Sequence, residues 1–246
     1  FGSVGGIWAL IFAGNRRLRE AAPAAFRGDF ERVRAAAHFV MLWVFRSDFQ
    51  TRALYMLGLC AEARGDLLEA SDLFRRALLM LPVGAAPQRR AAASALIRGH
   101  QILALTGLGA LEPAAWLLQQ LHADLRRSTV QGALDALLDD GDWGLGAVSL
   151  NSVLAQLEPG RPPRALAALA GALLAVKRGH ATEALDVLTR EHAVLAAGTL
   201  PHERELLAAI DRSAREALAG GGPMRAMAIP AGDAPWTRAM LGELSR

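Results

Sequence analysis

Histidine and cysteine supply most zinc ligands and many catalytic bases and nucleophiles, and this chain has six histidines and one cysteine. The histidines stand at positions 38, 100, 122, 180, 192 and 202; no two are spaced i, i+4, and none makes a zinc pattern with Cys60. Cys60 lies in an apolar helical pattern, which predicts a small buried side chain and no disulfide within the chain. We therefore expect no metal site and no cofactor.

Two short motifs have some of the residue types, but not the full pattern, of an ion or phosphate site. Asp139, Asp140 and Asp142 cluster in "DDGD", but a calcium loop needs a longer ligand series and a distal bidentate glutamate. The segment "TGLGAL" (106–111) is rich in glycine, yet it follows a helix and lacks the lysine of a phosphate-binding loop. We interpret the first motif as helix capping and the second as a hairpin turn.

The stretch "GSVGGIWALI" (2–11) superficially resembles the Gly-x-Ser-Gly motif of rhomboid intramembrane proteases. Val4 stands at the position of the nucleophile, and no later apolar span with a histidine follows. A nucleophile needs both its reactive oxygen and a base, and neither is present in that pattern. With no other catalytic pattern in the sequence, we expect a protein that is not an enzyme.

The basic residues are distributed along the chain and do not form one stripe. Lys177 is the only lysine among the 27 basic residues, and arginine pairs recur at 16–17, 75–76, 89–90 and 126–127. A nucleic-acid-binding surface favours a continuous basic stripe, often with stacking aromatic side chains beside it. Since the net charge is only +3, we interpret the arginines as solvated helix faces and expect no nucleic-acid partner.

The composition predicts an all-α chain. Alanine and leucine, both strong helix formers, supply most of the 52% hydrophobic residues, whereas aromatic residues make up 6%. No stretch shows the sustained alternation of a half-buried strand. Gly65-Asp66 combines a helix-ending glycine with an N-capping aspartate, and similar pairs recur. We expect helices near 16–26, 30–45, 50–63, 67–80, 88–106, 112–126, 129–139, 142–157, 163–178, 181–197 and 201–219.

The stretch "LYMLGLCAEARGDLLEASDLFRRALLMLP" (54–82) has the residue spacing of a helix–turn–helix unit. Gly58 and Ala70 are small where the two helices would approach closely. Residues 51–84 resemble a tetratricopeptide repeat (TPR), and the positions that carry the resemblance are Leu57, Gly58, Ala61, Ala70, Phe74, Ala77 and Pro82. Leu54 and Ala61 replace the tryptophan and tyrosine that are usual in the family.

A second, degenerate copy of this unit falls at 163–197, where Gly179 aligns with Gly65. Three further positions align, with Glu69, Ala70 and Phe74 matched by Glu183, Ala184 and Leu188. One hairpin cannot bury its apolar faces alone, so the resemblance implies an α-solenoid of stacked antiparallel helical hairpins over residues 15–219. A Gly- and Pro-rich tail with a short helix near its end would follow at 220–246.

The first helix of the stronger repeat is expected to line the concave face of such a stack. It would present a protein-binding groove made of Arg52, Tyr55, Met56, Leu59 and Glu62. The family's clamp for a peptide carboxylate needs lysine and asparagine at the positions of Tyr55 and Leu59, so that clamp is not expected here. The alternative is that these side chains simply pack against the helix at 30–45.

The first fourteen residues carry no charge, and "NRRLRE" follows directly. Such a segment is too short to cross a bilayer, for which about 20 residues are needed. Because the chain starts without methionine, we interpret 1–14 as the end of a longer transmembrane helix, with Arg16, Arg17 and Arg19 at its cytoplasmic end. The alternative is an apolar first helix that packs on the domain.

The run "HFVMLWVF" (38–45) is too apolar for one face of an exposed helix. One interpretation is burial between the first segment of the chain and the stronger repeat. The other is that Trp43 and Phe45 contact a bilayer surface or a partner protein.

These patterns predict a membrane-tethered, TPR-like scaffold that faces the cytoplasm, binds a protein or peptide and has no small-molecule substrate. An alternative is the cytoplasmic regulatory tail of a larger membrane enzyme or transporter whose active part lies upstream of Phe1. A third interpretation is a helical domain that uses residues 1–14 as an internal packing helix.

Overall fold

A computed structural model describes residues 4–26, 29–82, 87–127, 163–199 and 201–220. Within these ranges the chain forms ten α-helices and no strand, which confirms the all-α prediction. The helices are α1 (Val4–Phe26), α2 (Phe30–Trp43), α3 (Ser47–Ala63), α4 (Leu67–Leu79), α5 (Pro87–Gly107), α6 (Leu111–Arg127), α7 (Pro163–Lys177), α8 (Ala181–Arg190), α9 (His192–Gly198) and α10 (Pro201–Gly220). The helices predicted at 129–139 and 142–157 and the tail at 221–246 lie outside the described residues.

Three helical hairpins, α3–α4, α5–α6 and α7–α8, are closed by the same backbone turn. In each hairpin a glycine with positive φ follows the first helix: Gly65 at 80°, Gly109 at 76° and Gly179 at 82°. The amide of the next residue donates to a carbonyl five positions earlier, at 2.9 Å in all three hairpins. This is the Schellman termination, and glycine adopts its left-handed backbone without a steric penalty. The aligned glycines of the two predicted repeats therefore occupy equivalent turns.

The α3–α4 hairpin packs through the small and aromatic residues of the repeat signature. Five of the signature positions are buried: Gly58, Ala61, Ala70, Phe74 and Ala77. A Cβ atom built on Gly58 would lie 2.5 Å from Cε1 of Phe74, so the ring occupies the space that a larger residue would need. Glycine at this position therefore allows the two helices to approach closely.

Helix α5 connects the hairpins because it packs against α4, α6 and α7. At Gly99 of α5 an added Cβ would overlap the side chain of Leu166 on α7, so these two helices are also in close approach. Helices α7 and α8 then pack against α10. Two buried clusters result, which we call the first core, built by α1 to α5, and the second core, built mainly by α5 to α10.

The first apolar segment is one end of a packed helix. Helix α1 continues without a break from Val4 through the arginines that follow the apolar segment to Phe26. Gly14 is buried against Val40 of α2 and against Val44, the residue that follows α2, and Leu18 is fully buried. In the described part of the chain, no helix combines the length and the apolar character needed to cross a membrane. The transmembrane interpretation of 1–14 is therefore not supported.

Candidate functional site

Four of the five residues predicted to line a groove on α3 are buried. Arg52 and Met56 are 0% exposed, Tyr55 is 1% exposed and Glu62 is 4% exposed, whereas Leu59 is partly buried. Helix α3 packs against α1, α2, α4 and α5, so neighbours cover it on several sides. The predicted groove is therefore not an accessible surface, and its side chains pack between helices instead.

Glu62 belongs to a buried cluster that joins α3, α4 and α5. Its Oε2 lies 2.9 Å from Nδ1 of His100, and both side chains are almost fully buried. The His100 ring stacks on Phe74 at 5.5 Å between centroids and meets Tyr55 edge-on at 5.7 Å. The side chains of Glu62 and His100 both lie inside the fold, so the pair links α3 to α5 across the interior.

Arg52 is the most unusual side chain of α3 because its guanidinium lies inside the fold. Nη1 donates to Oδ1 of Asn15 at 3.3 Å, whereas Nε and Nη2 find no acceptor among the described residues. Burial, more than any other effect, lowers the pKa of Arg52 to about 9; Asp48 raises it and Arg19 lowers it further. The group remains a cation at neutral pH, and a buried cation with unpaired donors is destabilising.

Asn15 also lines a cleft of about 490 Å³, which we call the α1–α3 cleft. Its volume falls within the range of small-molecule pockets, about 300–1,000 Å³. The ring of Phe49, which lines the cleft from α3, lies 5.4 Å from Cζ of Arg52. The cleft has an apolar part made of Trp8, Ile11, Phe12 and Phe49 and a polar part made of Asn15, Arg16, Arg19 and Glu20.

Trp43 and Phe45 lie on the surface at the C-terminal end of α2. Trp43 is 55% exposed and Phe45 is 84% exposed, and the neighbouring Leu42 is 66% exposed. We call these three residues the α2 aromatic end. Their exposure is what a contact with a partner or a bilayer would need, and the contact itself stays a prediction.

The described residues contain neither a cluster that could hold a metal ion nor an activated thiol. No group of three or more His, Cys, Asp or Glu side chains there could hold a metal ion. Burial raises the pKa of the Cys60 thiol to about 11, so the thiol stays protonated and unreactive near neutral pH. The aspartates of the "DDGD" motif lie outside the described residues.

Sequence reasoning missed the α1–α3 cleft because it assigned the two helices that form it to different roles. Trp8 and Phe12 belonged to the predicted membrane segment, and Arg52 belonged to the predicted groove. The available signal was Arg52 itself, the one basic residue of α3, but arginine is seldom fully buried and exposure was the natural expectation.

Comparison of the chain with protein-family models, with curated proteins and with solved structures finds no match. No related protein therefore indicates a role for the α1–α3 cleft or for the α2 aromatic end.

Proposed function

We propose that this chain is a non-catalytic helical-repeat scaffold that binds a protein partner through the α2 aromatic end. The observation that carries the proposal is the exposure of Leu42, Trp43 and Phe45 within four consecutive residues where α2 ends. Exposed apolar side chains cost free energy in water, and contiguous ones mark interaction surfaces. Tryptophan is also among the residues that contribute most to binding at protein interfaces.

The repeated hairpin turn supports a stacked, TPR-like architecture for this scaffold. Helix α4 packs against α5, and α5 packs against α7, so the three hairpins are in contact one after another. Stacked-repeat proteins use such neighbour contacts to build an extended binding surface. We infer that α1 and α2 extend this stack on the side of α3, with the aromatic end exposed to a partner.

A photo-crosslinking amino acid placed at position 43 of the full chain, in the cell, tests this proposal. Position 116 is the matched control, because Trp116 is 60% exposed but lies on α6. We expect protein adducts from position 43 and none of the same size from position 116. The adducts should disappear in the Phe45→Ala variant, whose fold is checked by circular dichroism.

Two crosslinking results would contradict the proposal, and a vesicle experiment distinguishes a protein partner from a bilayer. Equal adducts from positions 43 and 116, or no adduct from position 43, contradict the proposal. Co-sedimentation with lipid vesicles tests binding to a bilayer. If the chain sediments with vesicles and the Trp43→Ala/Phe45→Ala variant does not, the aromatic end binds a bilayer surface instead of a protein.

A further inference from the structure

The α1–α3 cleft changes from apolar to cationic along one face of α1. Trp8, Phe12 and Arg19 all line it, and positions spaced by three, four or seven residues share one face of a helix. Phe49 of α3 completes the apolar wall. A ligand lying along this face would therefore meet aromatic rings at one end and guanidinium groups at the other.

The cationic end has more positive charge than its own acids neutralise. Arg16 pairs with Glu20 at 2.8 Å, which leaves Arg19 without an ion pair in the part of the chain that the structure describes. Asp48 is the acid that acts on Arg52, but its carboxylate also pairs with Arg46 at 3.2 Å. Arg19 and Arg52 are close enough to repel each other, and an anion beside both would relieve that repulsion.

Arg52 provides an independent observation, from inside the fold. It is buried behind Asn15, and two of its nitrogen donors have no acceptor among the described residues. Arg52 can only donate, so the Asn15 carbonyl oxygen must face it, and the Asn15 amide nitrogen remains as a donor for another acceptor. The field of a cation surrounded by apolar groups is weakly screened, so it extends to the cleft on the other side of Asn15.

We propose that the α1–α3 cleft binds a fatty carboxylate, with the aliphatic chain against Trp8, Phe12 and Phe49 and the carboxylate at Asn15, between Arg19 and Arg52. The charge of the cationic end selects an anionic head, and the aromatic wall selects an aliphatic tail. A peptide fits this wall less well, because an extended backbone needs hydrogen-bond partners and the side chains of the apolar wall offer one polar atom, the indole nitrogen of Trp8. This site shares no lining residue with the α2 aromatic end, so substitutions at each site test the two proposals separately.

Calorimetric titration of the full chain with decanoate, 1-decanol and decyltrimethylammonium tests the charge selectivity. We expect one decanoate site, at least about tenfold tighter than the decanol site, because hydrogen bonds to a charged group are worth more than those to a neutral one. Binding of the cationic amphiphile should be the weakest. Equal affinity for decanoate and decanol, or many decanoate molecules per chain, would show unspecific apolar uptake and overturn the proposal.

Arg52→Met removes the buried charge and keeps an apolar side chain of similar length. We expect the preference for decanoate over decanol to fall about tenfold, while the midpoint of thermal unfolding rises by at least about 2 °C, because an unpaired buried cation has been removed. Arg19→Gln should also weaken decanoate binding, whereas Arg204→Gln, on the exposed face of α10, should leave it unchanged. Unchanged selectivity in Arg52→Met overturns the proposal.

Phe12→Glu tests the cleft if Arg52→Met fails to fold. Phe12 is 54% exposed, so the substitution should preserve the fold while placing a carboxylate in the apolar part of the cleft. We expect it to abolish decanoate binding, and retained binding would place decanoate elsewhere. Size-exclusion chromatography gives the last outcome: a dimer that decanoate dissociates and that Phe12→Glu abolishes would assign the cleft to a second copy of the chain.

Discussion

The hairpins of the first and second cores are closed by the same type of turn, but the two cores differ in the side chains that they bury. The first core encloses the aromatic rings of Tyr55 and Phe74, and buried Arg52, Glu62 and His100 lie among the same helices. The described apolar members of the second core are alanine, leucine, isoleucine and valine, without an aromatic ring, although α10 also buries Glu203 and Ser213. A glycine turn and small residues at the helix contacts are therefore enough to form a hairpin. The aromatic rings and buried charged residues of the first core are not needed for it.

This difference predicts an unequal response to substitution. Aliphatic cores accept swaps that conserve volume, because no member depends on one particular partner. A buried polar group depends on its partner, since losing that partner leaves it unsatisfied and desolvated. Substitutions in the first core should therefore have the larger effects, and three predictions follow in order of size.

The largest effect is expected at the Glu62–His100 pair. His100→Leu leaves the Glu62 carboxylate buried without its hydrogen bond, so the free energy of unfolding should fall by about 3–5 kcal/mol in chemical denaturation. Leu103→Met, which conserves volume in the second core, should lower it by less than about 1.5 kcal/mol. The comparison fails if the two variants are equally destabilised.

A double variant separates the lost pair from lost packing. Glu62→Met combined with His100→Leu removes both polar groups, and it should recover most of the stability lost in His100→Leu alone. If the double variant is less stable than His100→Leu, the loss comes from packing around the ring, and the buried carboxylate is not its cause.

Two glycines in helix interiors should respond with opposite signs to the same change. Gly58→Ala places a methyl group against the Phe74 ring, so we expect the free energy of unfolding to fall by about 1–3 kcal/mol. Gly171→Ala in α7 meets only Leu118, at an ordinary 3.6 Å, and should raise it by about 0.5–1 kcal/mol because alanine favours helix.

Thermal and chemical denaturation of both variants measure these changes. The loss in Gly58→Ala should shrink in a Phe74→Leu background, where the ring that meets the new methyl group is gone. A similar loss in Gly58→Ala and Gly171→Ala would show that the approach of α3 and α4 is no closer than an ordinary contact.

The smallest effect is expected at Cys60, which should not react with a thiol reagent in the native protein near neutral pH. Burial blocks access, and it raises the pKa of the thiol to about 11, so almost no thiolate forms. Labelling should therefore follow unfolding and be faster in His100→Leu than in Leu103→Met. Rapid labelling of the native chain, at a rate that stability does not change, would place Cys60 outside the closed first core.

The hairpins could be predicted because their signals are local. These signals are the helical periodicity, the pair Gly65-Asp66 and Gly109 of "TGLGAL". Each depends on residues only a few positions apart, and the structure has a helix or a turn at each. The extent of α1 was not predictable in this way. Its apolar first half resembled the end of a membrane span, and its contact with Val40 and Val44 depends on a helix that comes later in the chain.

The sequence by itself determined an all-α chain of hairpins closed by glycine turns, because periodicity, capping and left-handed glycine depend on neighbouring residues alone. Only the tertiary structure decided that α3 is covered on several sides and that Arg52 lies behind Asn15, which is 37 residues away in the chain. Burial of a helix face depends on which other helices pack against it. The same spacing of residues on a helix is compatible with an exposed groove and with a buried helix face. In α3 these residues form a buried face behind the α1–α3 cleft.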